Sequence, residues 1–198
     1  MITTSTITQY SPQDYRDREA IAETRHEYHN GEIIEMPGGS IDHSRIAGSL
    51  YALFEDLLDP DAFEAFNSDL RLWIPDVNHG VYPDVMVIAG SPVLNGDRTD
   101  EILNPTLIAE VLSPSTSSYD RGDKFAAYRT IPSLCEYLLI EQSTPLVEHY
   151  WKTDDHRWHL EEIRDLEASV TLQHLPAALP LAKLYRRVSF TTQTQTTP

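Results

Sequence analysis

Three ionisable side chains fall where the chain otherwise reads as buried. Asp84 opens the run Val-Met-Val-Ile at 85–88, Glu110 sits inside Thr-Leu-Ile-Ala-Glu-Val-Leu at 106–112, and Lys124 lies four residues after Asp120. A carboxylate inside an apolar strand is costly unless it is paired or holds a metal. Two convergent carboxylates repel, so one must keep a proton unless a cation lies between them. Magnesium is a hard ion that prefers oxygen ligands, keeps several waters and needs only one or two protein carboxylates. It polarises a phosphoryl oxygen and generates hydroxide. A nearby lysine can position or deprotonate the attacking water, or balance charge on a pentavalent transition state.

Each residue also has a plainer reading. Pro83-Asp84 can be a turn leading into a strand. Asp120 and Lys124 can be an exposed helix pair worth about 0.3–0.5 kcal/mol. Ser113-Pro-Ser-Thr116 can be a strand-to-helix loop. Glu110 resists the plain reading best, because a solvated edge strand would not surround it with Leu107, Ile108, Val111 and Leu112.

The elements that must position these groups follow from periodicity and turn chemistry. The run 84–88 is nearly all apolar, as for a strand buried on both faces, and 106–113 and 136–141 read the same way. In 106–113, Ile108, Glu110 and Leu112 face one side and Leu107, Ala109 and Val111 the other. A helix over 117–129 follows, starting on a capping-box-like Ser117 and Asp120. Asp120, Lys124 and Tyr128 then share one helix face. A strand-helix-strand connection of this length predicts that 106–113 and 136–141 run parallel.

Upstream, Ser11-Pro12 opens a short helix to about residue 20. Asn30-Gly31 marks a hairpin over 26–36. The clearest helix runs from Ser40 to Asp59, with His43, Ile46, Ala47, Leu50, Leu53, Phe54, Leu57 and Leu58 at helical spacing. His43 lies on the apolar stripe, where a histidine is more often a hydrogen-bonded core residue than a ligand. Strands are expected at 63–66 and 70–74, a turn at 76–80 and a loop at 90–105. Downstream come a hairpin over 146–151 and 158–163, a short strand at 171–175 and a short helix at 181–185. Tyr150, Trp151 and Trp158 of that hairpin either cover the core, the default, or line a dimer interface.

With 198 residues and 40% hydrophobic content, the chain has room for one good-sized core. We expect one domain over 11–188 with flexible ends at 1–10 and 189–198. No apolar run approaches the ~20 residues that span a bilayer. Residues 1–9 lack the pattern of a signal peptide, which implies a cytoplasmic address. One cysteine, Cys135, excludes an intramolecular disulfide and a multi-cysteine zinc site. The net charge of -16 excludes a general nucleic-acid coat. Binding DNA or RNA would need a local basic patch, a bound cation or a partner. Glycine-rich phosphate loops and Gly-x-Ser-x-Gly turns are absent from the sequence.

Tyr-Pro-Asp-Val at 82–85, Ala-Glu-Val-Leu-Ser-Pro-Ser-Thr at 109–116, then Asp120, Lys124, Tyr128 and Glu136-Tyr-Leu138 resemble a restriction endonuclease family expanded in cyanobacteria and long catalogued as a domain of unknown function. Asn30-Gly-Glu32, Met36 and His43 are similar to its N-terminal half, so the resemblance covers about residues 25–185. It implies the PD-(D/E)XK nuclease superfamily: an α/β (α+β) restriction endonuclease-like mixed sheet flanked by helices, and a Mg2+ (or Mn2+) dependent phosphodiesterase site acting on DNA. Carried over, Asp84 and Glu110 become metal ligands, with the main-chain carbonyl of Val111 as a third. The superfamily lysine normally lies two residues after the second acid, where this chain has Leu112; Lys124 from the following helix fits that role. His43, and more weakly Glu32, Glu35 and Asp120, could join the site. Double-strand cutters often dimerise, so a homodimer is expected by analogy.

Two alternatives stand beside the nuclease. One is a non-catalytic binding or scaffold module with a relict metal site, since fold does not fix function. The other is a hydrolase whose His43-containing site takes zinc or manganese.

Overall fold

The computed structural model describes residues 9–190. The first helix, α1 (Pro12–Glu19), is fixed by a reciprocal cap: the Ser11 hydroxyl accepts the Asp14 N–H at 3.1 Å, and Asp14 accepts the Ser11 N–H at 2.9 Å. β1 (His26–His29) and β2 (Glu32–Glu35) form the expected hairpin, with Asn30 and Gly31 both at positive φ (45° and 112°). The long helix α2 (Ile41–Leu57) starts where Ser40 accepts the His43 N–H at 3.0 Å, and it buries Ile46, Leu50, Leu53 and Phe54.

The remaining strands are β3 (Phe63–Asn67), β4 (Arg71–Ile74), β5 (His79–Val81), β6 (Val85–Ala89), β7 (Glu101–Ile102), β8 (Leu107–Leu112), β9 (Glu136–Glu141), β10 (Val147–Lys152), β11 (Trp158–Ile163), β12 (Ser169–Thr171) and β13 (Ala178–Pro180). They sort into a six-stranded sheet, β11-β10-β9-β8-β6-β3, a five-stranded sheet, β2-β1-β5-β4-β7, and the pair β12-β13. Both large sheets are mixed. The expected parallel pair is β8 and β9, in register from Leu107 opposite Glu136 to Leu112 opposite Glu141.

The six-stranded sheet is buried on both faces, which is why its central strands are apolar apart from a few buried acids such as Glu110 and Glu136. One face packs Val85, Val87, Leu107, Ala109, Val111, Leu138 and Ile140 against α2 and the C-terminal segment. The other packs Met86, Ile108, Leu112 and Leu139 against the crossover segment and against Leu72, Ile74 and Val81 of the five-stranded sheet. Tyr150 and Trp158 close this second core around Phe125, with ring centroids 4.9 and 5.2 Å from its ring, and Trp151 stacks on His159. Tyr150 and Trp158 therefore cover the core, while Trp151 packs between two histidines of the hairpin.

Four local expectations differ. The crossover is not one regular helix: α3 (Ser117–Tyr119) passes through a π-helical turn, Asp120–Lys124, into α4 (Phe125–Tyr128). The turn at 76–80 contains β5, which bridges β1 and β4. The loop at 90–105 contains β7, paired parallel to β4. The strand expected at 171–175 is β12, ending at Thr171, because Leu172 and Leu175 turn inward to the core instead. The closing helix, α5, spans Leu181–Leu184. Of the ends expected to be flexible, 1–8 and 191–198 lie outside the described residues, while the Tyr10 N–H donates to the Gly31 carbonyl at 2.9 Å. Among the described residues no helix is long and apolar enough to cross a membrane.

β7 is held by charge. Glu101 is fully buried and takes a bidentate pair of bonds from Arg16 of α1, both 2.9 Å, with Arg71 of β4 at 2.7 Å and the Asn95 amide at 2.8 Å. Burial would raise its pKa, but the Arg16 and Asn95 bonds and the Arg16 and Arg71 charges outweigh burial and leave it below 4.5. A depressed carboxyl stabilises the fold above its unfolded pKa, and that stability is lost as pH falls through the folded value. Glu101→Gln is expected to lower neutral-pH stability by about 3–5 kcal/mol, since it strands the buried Arg71 and the half-buried Arg16. In urea melts across the acid range, the gap to the parent should shrink as pH falls below about 4.

Candidate functional site

Strand pairing alone brings the two strand acids together. β6 and β8 are antiparallel, with Met86 opposite Ile108 and Val85 opposite Ala109. One further step of that register sets Asp84 opposite Glu110, where the ladder ends. The Val111 N–H donates to Asp84 Oδ2 at 2.8 Å, and the Asp84 N–H points to Glu110 Oε2 at 3.4 Å. The side chain of Asp84 keeps 16% of its surface exposed, while Glu110 keeps 5%.

The crossover supplies the lysine. The π-helical turn buries both Asp120 and Lys124, which places a cation beneath the strand acids. Such turns recur at functional sites. Lys124 Nζ lies 2.8 Å from Glu110 Oε1 and 3.6 Å from both Asp120 Oδ1 and Glu27 Oε1. One turn on, the Tyr128 hydroxyl donates to the same Glu110 oxygen at 2.6 Å. The Tyr137 hydroxyl holds the turn by donating to the Asp120 carbonyl at 3.1 Å.

The first turn of α2 supplies the histidine. His43 Nε2 lies 3.2 Å from Asp84 Oδ2. Its ring rests on Gly39, where an added Cβ would come within 2.9 Å of Nδ1 and push the ring aside. The helix N-terminus adds positive potential near Asp84. Beside these groups a cavity of about 540 Å³ is lined by Asp84, His43, the 36–39 segment and one face of α2.

Electrostatically the site is acid-rich. Glu27, Asp84, Glu110 and Asp120 face one lysine and two histidines, His43 and His29. Burial, with Asp84 and Asp120 adding repulsion, pushes the Glu110 carboxyl up to about 8 despite Lys124. Asp120 is raised for the same first reason, burial. Lys124 moves the other way from a lone buried amine: burial alone would lower it, but Glu110, Tyr128, Glu27 and Asp120 hold it well above 10.5. It is an ammonium at any physiological pH. The bond to Asp84 raises His43. Glu27 falls below 4.5 because Lys124 and His29 outweigh its burial.

The expected residues divide clearly. Asp84, Glu110, Lys124 and His43 converge, and Asp120 touches Lys124. Val111 meets Asp84 through its N–H. Glu32 and Glu35 do not join: both are exposed on β2, the outer strand of the five-stranded sheet. The hairpin's contribution comes from β1 instead. Glu27 is buried beside Lys124, and its other oxygen lies 2.9 Å from His29 Nε2, which meets the Tyr119 hydroxyl at 3.2 Å. The sequence around Glu27 is His-Glu-Tyr-His, without the apolar contrast that singles out Glu110. Its alternation with His29 is the one available signal.

Residues 12–182 match the Uma2 family, described as "Putative restriction endonuclease". The chain belongs to the Uma2 family. Two relatives of this chain are uncharacterised proteins of Synechocystis sp. One is 41% identical over 170 residues, covering 86% of this chain and 96% of the relative. The other is 37% identical over 182 residues, covering 91% and 93%. Among solved structures, the chain resembles the crystal structure of a putative nuclease belonging to DUF820 from Anabaena variabilis. The TM-score is 0.68 at 21% identity, over 83% of this chain and 92% of that one. That likeness bears out the restriction endonuclease-like mixed sheet flanked by helices. The family and the fold together make the chain nuclease-like.

The cation at the centre gives a direct test. Lys124→Met leaves Glu110, Asp120 and Glu27 without their shared ammonium and is expected to cost about 3–5 kcal/mol at neutral pH. Adding Glu110→Gln should recover part of that loss. Equilibrium denaturation of the single and double variants measures both, and additive losses would show the contact to be energetically idle.

Proposed function

We propose that the protein is a magnesium-dependent endonuclease that hydrolyses DNA phosphodiester bonds, with manganese able to replace magnesium. The observation carrying this reading is the pairing of Asp84 and Glu110 across antiparallel strands, with the Lys124 ammonium 2.8 Å from Glu110. The donor set suits a hard cation. Its half-buried member, Asp84, and its buried member, Glu110, are both carboxylates, and acids outnumber cations around them. Asp84 and Glu110 would hold the ion, with the Val111 carbonyl as the third ligand that the resemblance implies. Bound there, the ion supplies Lewis-acid polarisation and an activated water.

The chain's own groups then have distinct tasks. Lys124, held as an ammonium by its acid neighbours, positions the attacking water and offsets negative charge gathering on the phosphoryl oxygens. Tyr128 and Lys124 fix the Glu110 carboxylate in one orientation. His43 and the Val111 N–H fix Asp84. Asp120 and Glu27 keep Lys124 charged and in place. A homodimer, expected by analogy, belongs to this proposal for cutting both strands.

A second reading has its own support. Among the described residues no three His, Cys, Asp or Glu side chains are grouped to hold a metal ion. Glu110 Oε1 is already occupied by Lys124 and Tyr128. Such a closed network also fits a binding module on the same fold.

Cleavage separates the two. Plasmid and oligonucleotide DNA incubated with Mg2+ or Mn2+ should be cut by the parent, and Asp84→Asn and Glu110→Gln should fall to background. Lys124→Ala should lower kcat by about 10²–10³. Undiminished cutting by the two acid variants would sink the assignment. No cutting by the parent, with no heat of Mn2+ binding by calorimetry, would favour the binding module. Zinc in the purified protein would redirect the site to a histidine-containing zinc centre.

A further inference from the structure

The cavity beside Asp84 is built from three separate elements. One wall is a stripe of α2: His43, Ser44, Ala47, Gly48 and Tyr51. It lies beside the stripe that α2 buries in the core, Ile46, Leu50, Leu53 and Phe54. The other walls are the hairpin exit, Met36, Pro37 and Gly39, and the β3–β4 turn, Asn67 and Ser68, with Arg25 beside it. Its volume, about 540 Å³, is that of a small-ligand pocket.

The lining is specific in kind. Tyr51 packs partly on the main core, which fixes the ring, and its remaining surface meets the cavity. Among the described residues, its hydroxyl and the Asn67 side-chain nitrogen have no protein partner. Arg25 is held in place by Asp69, by the Ser68 carbonyl at 2.6 Å, and over the Tyr82 ring at 5.6 Å. A fixed aromatic and an amide donor are groups that stack on and hydrogen-bond a single base.

Charge decides between a lone nucleotide and a duplex. A duplex needs a row of free cations along its phosphates. Arg25 is already paired with Asp69. Arg45, the residue after the lining Ser44, is paired with Asp42 at 3.0 Å. Lys124 is buried among acids.

We propose that this cavity receives one unstacked nucleotide next to the scissile phosphate, so that the substrate is single-stranded or locally unpaired nucleic acid. The inference rests on the nuclease reading of Asp84 and Glu110. The nucleotide can come from a free strand or from a bulge in a duplex, and the test distinguishes them.

Gly48 provides the probe. It is exposed on α2, and an added Cβ there meets no atom within 4 Å. Gly48→Leu therefore adds bulk at the cavity wall with no clash at its Cβ, and it replaces a poor helix former with a good one. Binding is read by fluorescence anisotropy with a single-stranded 5′-labelled oligonucleotide, the matched duplex, and the duplex with one bulged base, in calcium. Cleavage of the same three is read in manganese. The parent is expected to bind and cut the single strand or the bulged duplex in preference to the matched duplex. Gly48→Leu should lose at least about tenfold in affinity while its Tm holds or rises. Tyr51→Ala should lose about tenfold, and Tyr51→Phe should regain it, as stacking predicts. The Tyr51 pair carries the test if Gly48→Leu does not fold.

Preference for the matched duplex, equal binding by parent and Gly48→Leu, or no binding by the parent overturns the inference. In the first two cases cleavage that depends on Asp84 leaves the nuclease reading intact. Cavity-dependent binding without any cleavage by the parent instead removes the nuclease reading and keeps the nucleotide site.

Discussion

A single buried ammonium ties the molecule together at its functional end. Lys124 takes one carboxylate from each of three places: Glu110 from the six-stranded sheet, Glu27 from the five-stranded sheet and Asp120 from its own helical turn. Removing a charge from water carries a penalty of several kcal/mol, recovered only when partners sit at close range. Together they make the contact between the sheets specific as well as adhesive. The apolar surfaces of Leu72, Ile74, Val81, Ile108 and Leu112 supply adhesion but tolerate sliding; the shared ammonium does not.

The rest of the site follows from where backbone ladders end. Asp84 lies one residue before β6, beyond its last pair with β8, so its own N–H and that of Val111 need new partners. They find the two carboxylates. Buried amides are rarely left unpaired, and here the same acids that satisfy them are the acids available for chemistry. α2 closes the arrangement because its first turn, not its apolar middle, reaches Asp84. Gly39 then admits the His43 ring against the preceding backbone.

Much of this was legible in the residues themselves. Glu110 stands out because Leu107, Ile108, Val111 and Leu112 surround it, and Asp84 because it heads an unbroken apolar run. The crossover length predicted the parallel pair β8–β9, and four-residue spacing put Asp120, Lys124 and Tyr128 on one side. The π-helical turn was hidden, since that spacing suits an α-helix equally well. Glu27 was hidden because β1 is polar throughout, and its burial comes from packing against a segment nearly a hundred residues away in sequence. β7 was hidden for a related reason. A two-residue strand has almost no periodicity, and Arg16, which holds its Glu101, is contributed by α1. Long-range ion pairs leave no local pattern.

The same ion pairs bear on how so acidic a chain could handle a polyanion. Many of its arginines are already committed: Arg16 and Arg71 to Glu101, Arg121 to Glu148, Arg25 to Asp69 and Arg45 to Asp42. They hold the fold and leave little positive field for steering. On the proposed reading, attraction must then be local, from the cation held by Asp84 and Glu110, from Lys124 behind it and from contacts within one small cavity. Local attraction under a repulsive surface penalises long, regular contact with phosphates more than it penalises a single nucleotide reaching inward. Acidity would then act as a filter on the shape of the substrate rather than as a barrier to nucleic acid as such.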